Sequence, residues 1–425
     1  MSSNHIVSTA LTPVSEQERV FSFSSHLSLW FSLGVGLLVM QVGAFLVPAV
    51  GTREAIAAIV FGSIIGAGLL AWTARVGTIT GLSSAGLMHS TFGARFARLP
   101  VVLNIVQLFG WTTFELVVMR EGTQAIFNKA LGSSGGPLVY VLATLFWGAI
   151  LTALMTGSML KLVRRFVSRF GLPLVVLSLL WLTAHFVGVL REQGWQSFID
   201  RPGNGSMSML AALGLVMAMP VSWLPLVADY ARHGTKASAT LGGTWLGYTL
   251  ANIWCYGLGV MVASVSAPGT DLVAALLLAQ GGLLALGLIL LDELDNAYGD
   301  VYSAAVSANS LRPSMTLRRY GMGIAISCTL LALVLPMHSL EPFLLLLSSV
   351  FVPLYGVILG RLGFGVPGLT PAQRAVEPVA VGLWIAGIVL YHGVERFAPH
   401  LGAAIVTLAV TLIAGALTRE RQRAA

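Results

Sequence analysis

Four carboxylates stand within nine positions in LLDELDNAYGDVY, residues 290 to 302: Asp292, Glu293, Asp295 and Asp300. They follow an apolar run from Leu272 to Leu291 that Gln280 and the two glycines after it interrupt, in a chain where 10% of residues are charged. Helical steps of three and four place Asp292, Asp295, Asn296, Gly299, Asp300 and Ser303 on one face, so Glu293 is expected to point elsewhere and to serve as a pairing residue. Several ionised acids on one face repel, so some must bind a cation, pair with Arg or hold a proton. The face therefore has the chemistry of a wall for cations and amines. A second constellation is LNIVQLFGWTTFELVVMREGTQ, where Gln107, Trp111 and Glu115 recur every four residues on one helical face. A flat heterocycle could stack on the Trp while the acid accepts its N–H groups. The plainer alternative is a packing Trp with a Glu neutralised by Arg120 or kept protonated by burial. Arg120 and Glu121 read as a structural or gating ion pair.

The elements that carry these groups must meet lipid. The 425 residues are 56% hydrophobic with a mean hydropathy of +0.84, whereas soluble domains carry roughly 25% charged residues. An all-α integral membrane protein follows. The net charge of +7 lies between apolar segments and marks topology rather than nucleic-acid binding. Cys255 and Cys328 sit in apolar runs without ligand spacing, the histidines form no HExxH pattern, and neither a phosphate loop nor a Ser-His-Asp order occurs. Nothing there speaks for an enzyme or a cofactor. The polar start MSSNHIVSTALTPVSEQER lacks the apolar core of a cleavable signal.

A spanning helix needs about 20 apolar residues, and twelve segments meet that length: 27–50, 54–75, 99–126, 136–157, 170–190, 207–230, 239–264, 271–298, 318–337, 340–360, 376–394 and 399–417. With the N-terminus inside, cytoplasmic segments hold eighteen Lys and Arg, including Arg75, Lys161, Arg165, Arg232, Arg319 and Arg421. Outer loops then hold only Arg53, Lys129, Arg191, Arg201 and Arg396. That asymmetry places both termini in the cytoplasm of a cell whose inner membrane the chain crosses many times.

Pro48 in GAFLVP and Pro225 in SWLPLV are 177 residues apart, and Pro173 in FGLPL and Pro353 in FVPLY are 180 apart. These offsets make helices one to five a repeat of helices six to ten. Because five is odd, the copies are inverted. The expected organisation is a cytoplasmic segment 1–26, repeats at 27–190 and 207–360, two additional helices at 376–417 and a tail at 418–425. Helices one and six both carry breakers, Gly34, Gly36 and Gly43 in one, Pro220 and Pro225 in the other. A break at membrane depth is tolerated around a cavity, an ion or a substrate. A Pro kink in a packed bundle is the alternative.

FSSHLSLWFS, LFGWTTFE, ADYARHG, NAYGDVYSAAVS and FLLLLSSVFVPLYGVILG together resemble the nucleobase cation symporter-1 family of purine, cytosine, hydantoin and hydroxymethylpyrimidine permeases, over nearly the whole chain. SLWFS and DVYSAAVS look closest to its hydroxymethylpyrimidine or cytosine branch. The resemblance implies a leucine-transporter-like five-plus-five fold with two extra C-terminal helices. It places a stacking Trp at Trp111, a substrate-binding residue at Glu115 where the family has Gln, and hydrogen-bonding positions at Asn296 and at Asp300, where the family has Asn. A second stacking Trp is best matched by Trp223 beside Ser222, although anchoring on Asp229 shifts it to Pro220. Gly36 falls next to substrate. The family's sodium site falls on the carbonyls of Ser32, Val35 and Leu291 and on Leu294 and Asp295, where the family has two hydroxyl residues. Asp295 could ligate sodium or carry a proton.

The reading is a secondary active importer of a small nitrogen heterocycle, coupled to sodium or protons. An amino-acid or other small-solute symporter of the same fold is the alternative, and a channel is a further one.

Overall fold

The computed structural model describes residues 10–133, 135–158, 171–267, 270, 272–335, 340–365 and 374–419. Lys161, Arg164, Arg165, Arg169, Arg421 and Arg423, used above for orientation, lie outside them. Every described element of length is helical. Helix α1 (Phe23–Ser32) and α2 (Leu37–Val50) form one span bent by 62°. Then come α3 (Thr52–Thr80), α4 (Ser84–Phe92), α5 (Arg98–Leu131), α6 (Gly136–Leu154), α7 (Leu172–Gln193) and the short α8 (Trp195–Ile199). A second divided span, α9 (Met209–Ser222) and α10 (Leu224–Ala231), opens the second half. It continues through α11 (Ala237–Val265), α12 (Leu272–Leu278), α13 (Gly282–Leu311), α14 (Leu317–Val334) and α15 (Leu340–Leu362), and the chain ends in α16 (Pro378–Phe397) and α17 (Ala403–Leu417).

Among the described residues nine helices are long and apolar enough to cross a membrane, and the bent α1–α2 pair makes ten. The acid-bearing α13, of 30 residues, and the 15-residue apolar α17 fall outside that set, against the twelve spans expected. Phe61, Val106, Leu284 and Val389 point outward and more than half exposed, which suits lipid and not water.

Three boundaries differ from expectation. The first helix begins at Phe23, inside the segment assigned to the N-terminal tail. Residues between the second and third spans form α4, capped by Ser83, whose hydroxyl accepts from the Gly86 amide at 3.0 Å. The expected span 271–298 is divided: α12 stops at Leu278 and Gly281, at φ +73°, starts α13 afresh. Hydropathy alone does not register such a stop, because the flanking residues stay apolar. The correction matters for the site, since it moves the acids from the end of a span to the middle of one.

Helix α11 runs along α1, α2 and α3, α13 runs along α5, and α16 and α17 pack on α15 at the periphery. The two broken spans thus lie at the centre. Gly34 and Gly36 fall in the first break, as expected. Gly43 does not; it lies against the Tyr256 backbone inside intact α2. On one side of the bundle the loop after α8 folds over the end of α2, with the Asn204 amide donating to the Pro48 carbonyl at 2.9 Å and Arg53 pairing with Asp200. On the other side the N-terminal segment is stitched down by Arg19 to the Thr78 carbonyl at 2.7 Å and by the Phe21 amide to the His233 carbonyl at 2.9 Å. Burial and the neighbouring Arg232 push His233 down to about 4. Its ring is therefore neutral, and its Nδ1–H donates to the Glu18 carbonyl at 3.1 Å.

Candidate functional site

Between Ser32 and Leu37 the first span loses its helical ladder, and Gly36 brings the exposed backbone against α13. A Cβ on Gly36 would stand 3.1 Å from a Glu293 carboxyl oxygen and 3.4 Å from the Asn296 amide nitrogen, so a larger residue would crowd both side chains. The free amide at the start of α2, that of Leu37, donates to Glu293. Asn296 donates to the Val35 carbonyl at 3.1 Å and to Glu293 at 3.4 Å. These bonds satisfy backbone groups that a broken helix leaves open in lipid.

This overturns the expectation for Glu293. It faces inward, fully buried, and lines a cavity with Asn296 and Asp300. Residues 293, 296 and 300 are themselves three and four apart, so the acidic helix presents two adjacent stripes rather than one. The other stripe, Asp292 and Asp295, turns to Ser32, whose hydroxyl reaches Asp292 at 2.9 Å and Asp295 at 3.4 Å. Periodicity allowed both phases; what selects Glu293 is the position of the helix-one break, which a single segment does not reveal.

The cavity's remaining walls are Trp111 and Glu115 from α5, Met219, Ser222 and Trp223 at the second break, and Gly36 with Leu33, Leu38 and Val39 from the first. Trp111 packs edge-on against Phe343 at 5.1 Å between centroids, and Trp223 against Trp30 at 6.0 Å. The water-accessible space is about 20 Å³, so a planar ring enters only as the lining side chains move apart. Pro220, the alternative match for the second Trp, lies within van der Waals range of Gly66 on α3 and is not among the cavity's lining residues. Gln107 is buried but turns to Asn104, to which it donates at 2.8 Å. Asn104, not singled out from sequence, holds α5 to the second break through the Pro225 carbonyl at 3.0 Å and to α13 through Ser307 at 3.1 Å.

Of the expected ion-site groups, the structure brings Ser32 and Asp295 together. The Val35 carbonyl already accepts from Asn296, and the Ser32 carbonyl accepts from the Val35 amide at 3.0 Å. The Leu291 side chain faces outward, and its carbonyl belongs to unbroken α13. No cluster of three His, Cys, Asp or Glu with metal-site geometry occurs among the described residues. Arg120 is buried, bonds the Ala332 carbonyl at 2.7 Å, pairs with Glu121 at 3.2 Å and stacks on Tyr140 at 4.0 Å. Those are structural ties, and none of the described ion pairs joins it to Glu115.

A second cavity, of about 380 Å³, is lined by Thr12 and Glu18 of the N-terminal segment, Arg232, His233, Arg318, and the near-parallel rings of Tyr298 and Tyr302.

Residues 13–362 match the family described as permeases for cytosine and purines, uracil, thiamine and allantoin. The chain belongs to this permease family. It is accordingly a multi-pass membrane protein of a permease family, and the last two helices lie beyond the matched region. A purine-uracil permease of Arabidopsis thaliana is 33% identical over 118 residues, which are 28% of this chain and 19% of that relative. The match thus spans about a fifth of the relative's length. Mhp1, a nucleobase-cation-symport-1 family transporter solved in a closed conformation with bromovinylhydantoin bound, superposes with a TM-score of 0.76 at 16% identity, covering 96% of this chain and 95% of Mhp1. MhsT in complex with L-phenylalanine gives 0.63 at 14% identity, covering 92% and 98%. The permease therefore has the leucine-transporter-like fold of inverted five-helix repeats, followed by two further helices.

Proposed function

We propose that this permease imports a 4-aminopyrimidine-type heterocycle such as hydroxymethylpyrimidine or cytosine, by cation symport with alternating access around the cavity between the two breaks. The observation that carries the reading is the meeting of two indoles, Trp111 and Trp223, with Glu115, Asn296 and Asp300 in one buried space. Stacking surfaces and hydrogen-bond acceptors together suit a flat ring that bears N–H groups. The purine-uracil and hydantoin ligands named for the relatives fall in the same chemical class. An amino-acid symporter would offer a helix N-terminus to a carboxylate, but here the Leu37 amide is already taken by Glu293.

The coupling ion in this reading is sodium or a proton, with Ser32, Val35, Leu291 and Asp295 as its surroundings and Asp295 as the titrating or ligating group. Uptake of labelled hydroxymethylpyrimidine, cytosine, uracil and hydantoin, with sodium and pH varied separately, tests substrate and ion together. Accumulation against a gradient, abolished when the ion gradient is dissipated, is expected. If sodium binds at Asp295, Asp295→Asn raises the sodium needed for half-maximal uptake; if a proton does, the variant no longer follows the pH gradient. Unchanged ion and pH dependence removes Asp295 from both roles.

Both termini face the cytoplasm in this proposal, so the Tyr298–Tyr302 cavity is the inner vestibule and the loop after α8 lies outside. Ser206 and Glu16 are both exposed, and the native cysteines are buried and give little background. An impermeant thiol label should modify Ser206→Cys in intact cells and Glu16→Cys only after permeabilisation. The reverse pattern would invert the topology.

A further inference from the structure

The proposed substrate class leaves open the charge in which the ring binds, and the cavity's unused hydrogen-bonding atoms bear on it. Glu115 and Glu293 both line this cavity. Asp300 lines the same space, and none of the ion pairs between described residues uses any of the three. The Glu115 oxygen Oε2 and the Asn296 oxygen Oδ1 are buried without a partner, and both belong to cavity-lining side chains. Against these acceptors the unpartnered donor is the Trp111 indole N–H. Glu115 and Trp111 are each 5% exposed, so both sit away from bulk solvent.

A neutral lactam would bring as many acceptors as donors and leave acceptor oxygens of the cavity without a donor, which is costly in a low-dielectric site. A planar cation whose edge carries two N–H groups would give one to Glu115 and one to Glu293, as a charge-assisted fork, while its face meets the indoles. Its single acceptor would take the Trp111 N–H. We infer that the permease binds its heterocycle as a cation, held in a clamp of two carboxyls in which Glu293 is the arm opposite Glu115 and a determinant of specificity. An aminopyrimidine satisfies this when its ring nitrogen is protonated in the site, and here the inference rests on the reading of substrate class above. The clamp also explains why Glu293 is tied to the Leu37 amide: the carboxyl that grips the ligand is the one that steadies the first break.

The test uses benzamidinium and benzamide, planar molecules of one shape that differ in charge, titrated into the purified full-length protein and followed by indole fluorescence. Benzamidinium is expected to bind at least about tenfold more tightly than benzamide, a margin typical of charge-assisted over neutral hydrogen bonds. Glu293→Gln and Glu115→Gln, which keep an acceptor for packing, should each collapse that margin, and Glu395→Gln on α16 should not. Equal binding of the two probes, no binding of benzamidinium, or a margin that survives both clamp variants overturns the inference. Should the charge preference be found while no aminopyrimidine is taken up, the substrate reading falls and the clamp stands.

Discussion

Replacing Glu115 by Gln is expected to weaken binding of a 4-aminopyrimidine by roughly tenfold or more and to narrow its margin over uracil. An ionised carboxylate only accepts, whereas an amide both donates and accepts. The amide therefore suits the lactam edge of uracil or hydantoin, and the acid suits an exocyclic NH2 beside a ring nitrogen. Glu115 is buried with Oε2 unpartnered, so this difference is felt away from bulk solvent. A buried polar group left mismatched costs about 1–3 kcal/mol, and 1.4 kcal/mol is tenfold in affinity. Competition against labelled cytosine uptake by unlabelled aminopyrimidine and uracil, in the unmodified protein and the variant, measures the two margins. Tight uracil transport by the unmodified protein, or a variant with unaltered preference, would refute the assignment.

What made this much of the site legible was chemistry that is rare in lipid. Glu115 and the acids of residues 292 to 300 stand out because ionisable groups inside a membrane are costly, about 2.5–3.5 kcal/mol on insertion scales. Most of the spans and the paired breakers likewise follow from hydropathy and from Gly and Pro placement. The phase of α13 did not. Faces 292–295–299 and 293–296–300 differ by one helical step, and the decision lies with Gly36 and Leu37, more than 250 residues away in sequence. Gln107 shows the opposite failure: its spacing puts it on the Trp111 face, yet Asn104 one turn earlier offers a buried partner that turns it away from the cavity. The stop before α13 left only Gln280 and the glycines after it in the sequence, because Gly281 acts through a positive φ that hydropathy does not register.

Gly259→Ala is expected to abolish uptake and to lower thermal stability sharply, while Gly257→Ala, two residues earlier on the same helix, is tolerated. A Cβ on Gly259 would stand 1.9 Å from the Met40 carbonyl oxygen and 3.1 Å from the Ala44 amide nitrogen. Reciprocally, a Cβ on Gly43 would stand 2.2 Å from the Tyr256 carbonyl oxygen. Helices α2 and α11 therefore touch backbone to backbone, and no rotamer change can make room. Overpacking a core typically costs about 1–3 kcal/mol even where side chains can yield, and here the helices themselves must part. Gly257 has nothing within 4 Å of a Cβ position, so an added methyl there should change stability by no more than about 0.5 kcal/mol, with better helix propensity in its favour. The functional consequence follows from what α2 carries one turn before this contact. Its first turn presents Leu37 to Glu293 and Gly36 to Asn296, so displacing α2 also opens the cavity wall. Thermal melting of the purified variants and uptake in cells would report the two effects, and equal behaviour of Gly259→Ala and Gly257→Ala would show that α2 is not fixed by this contact.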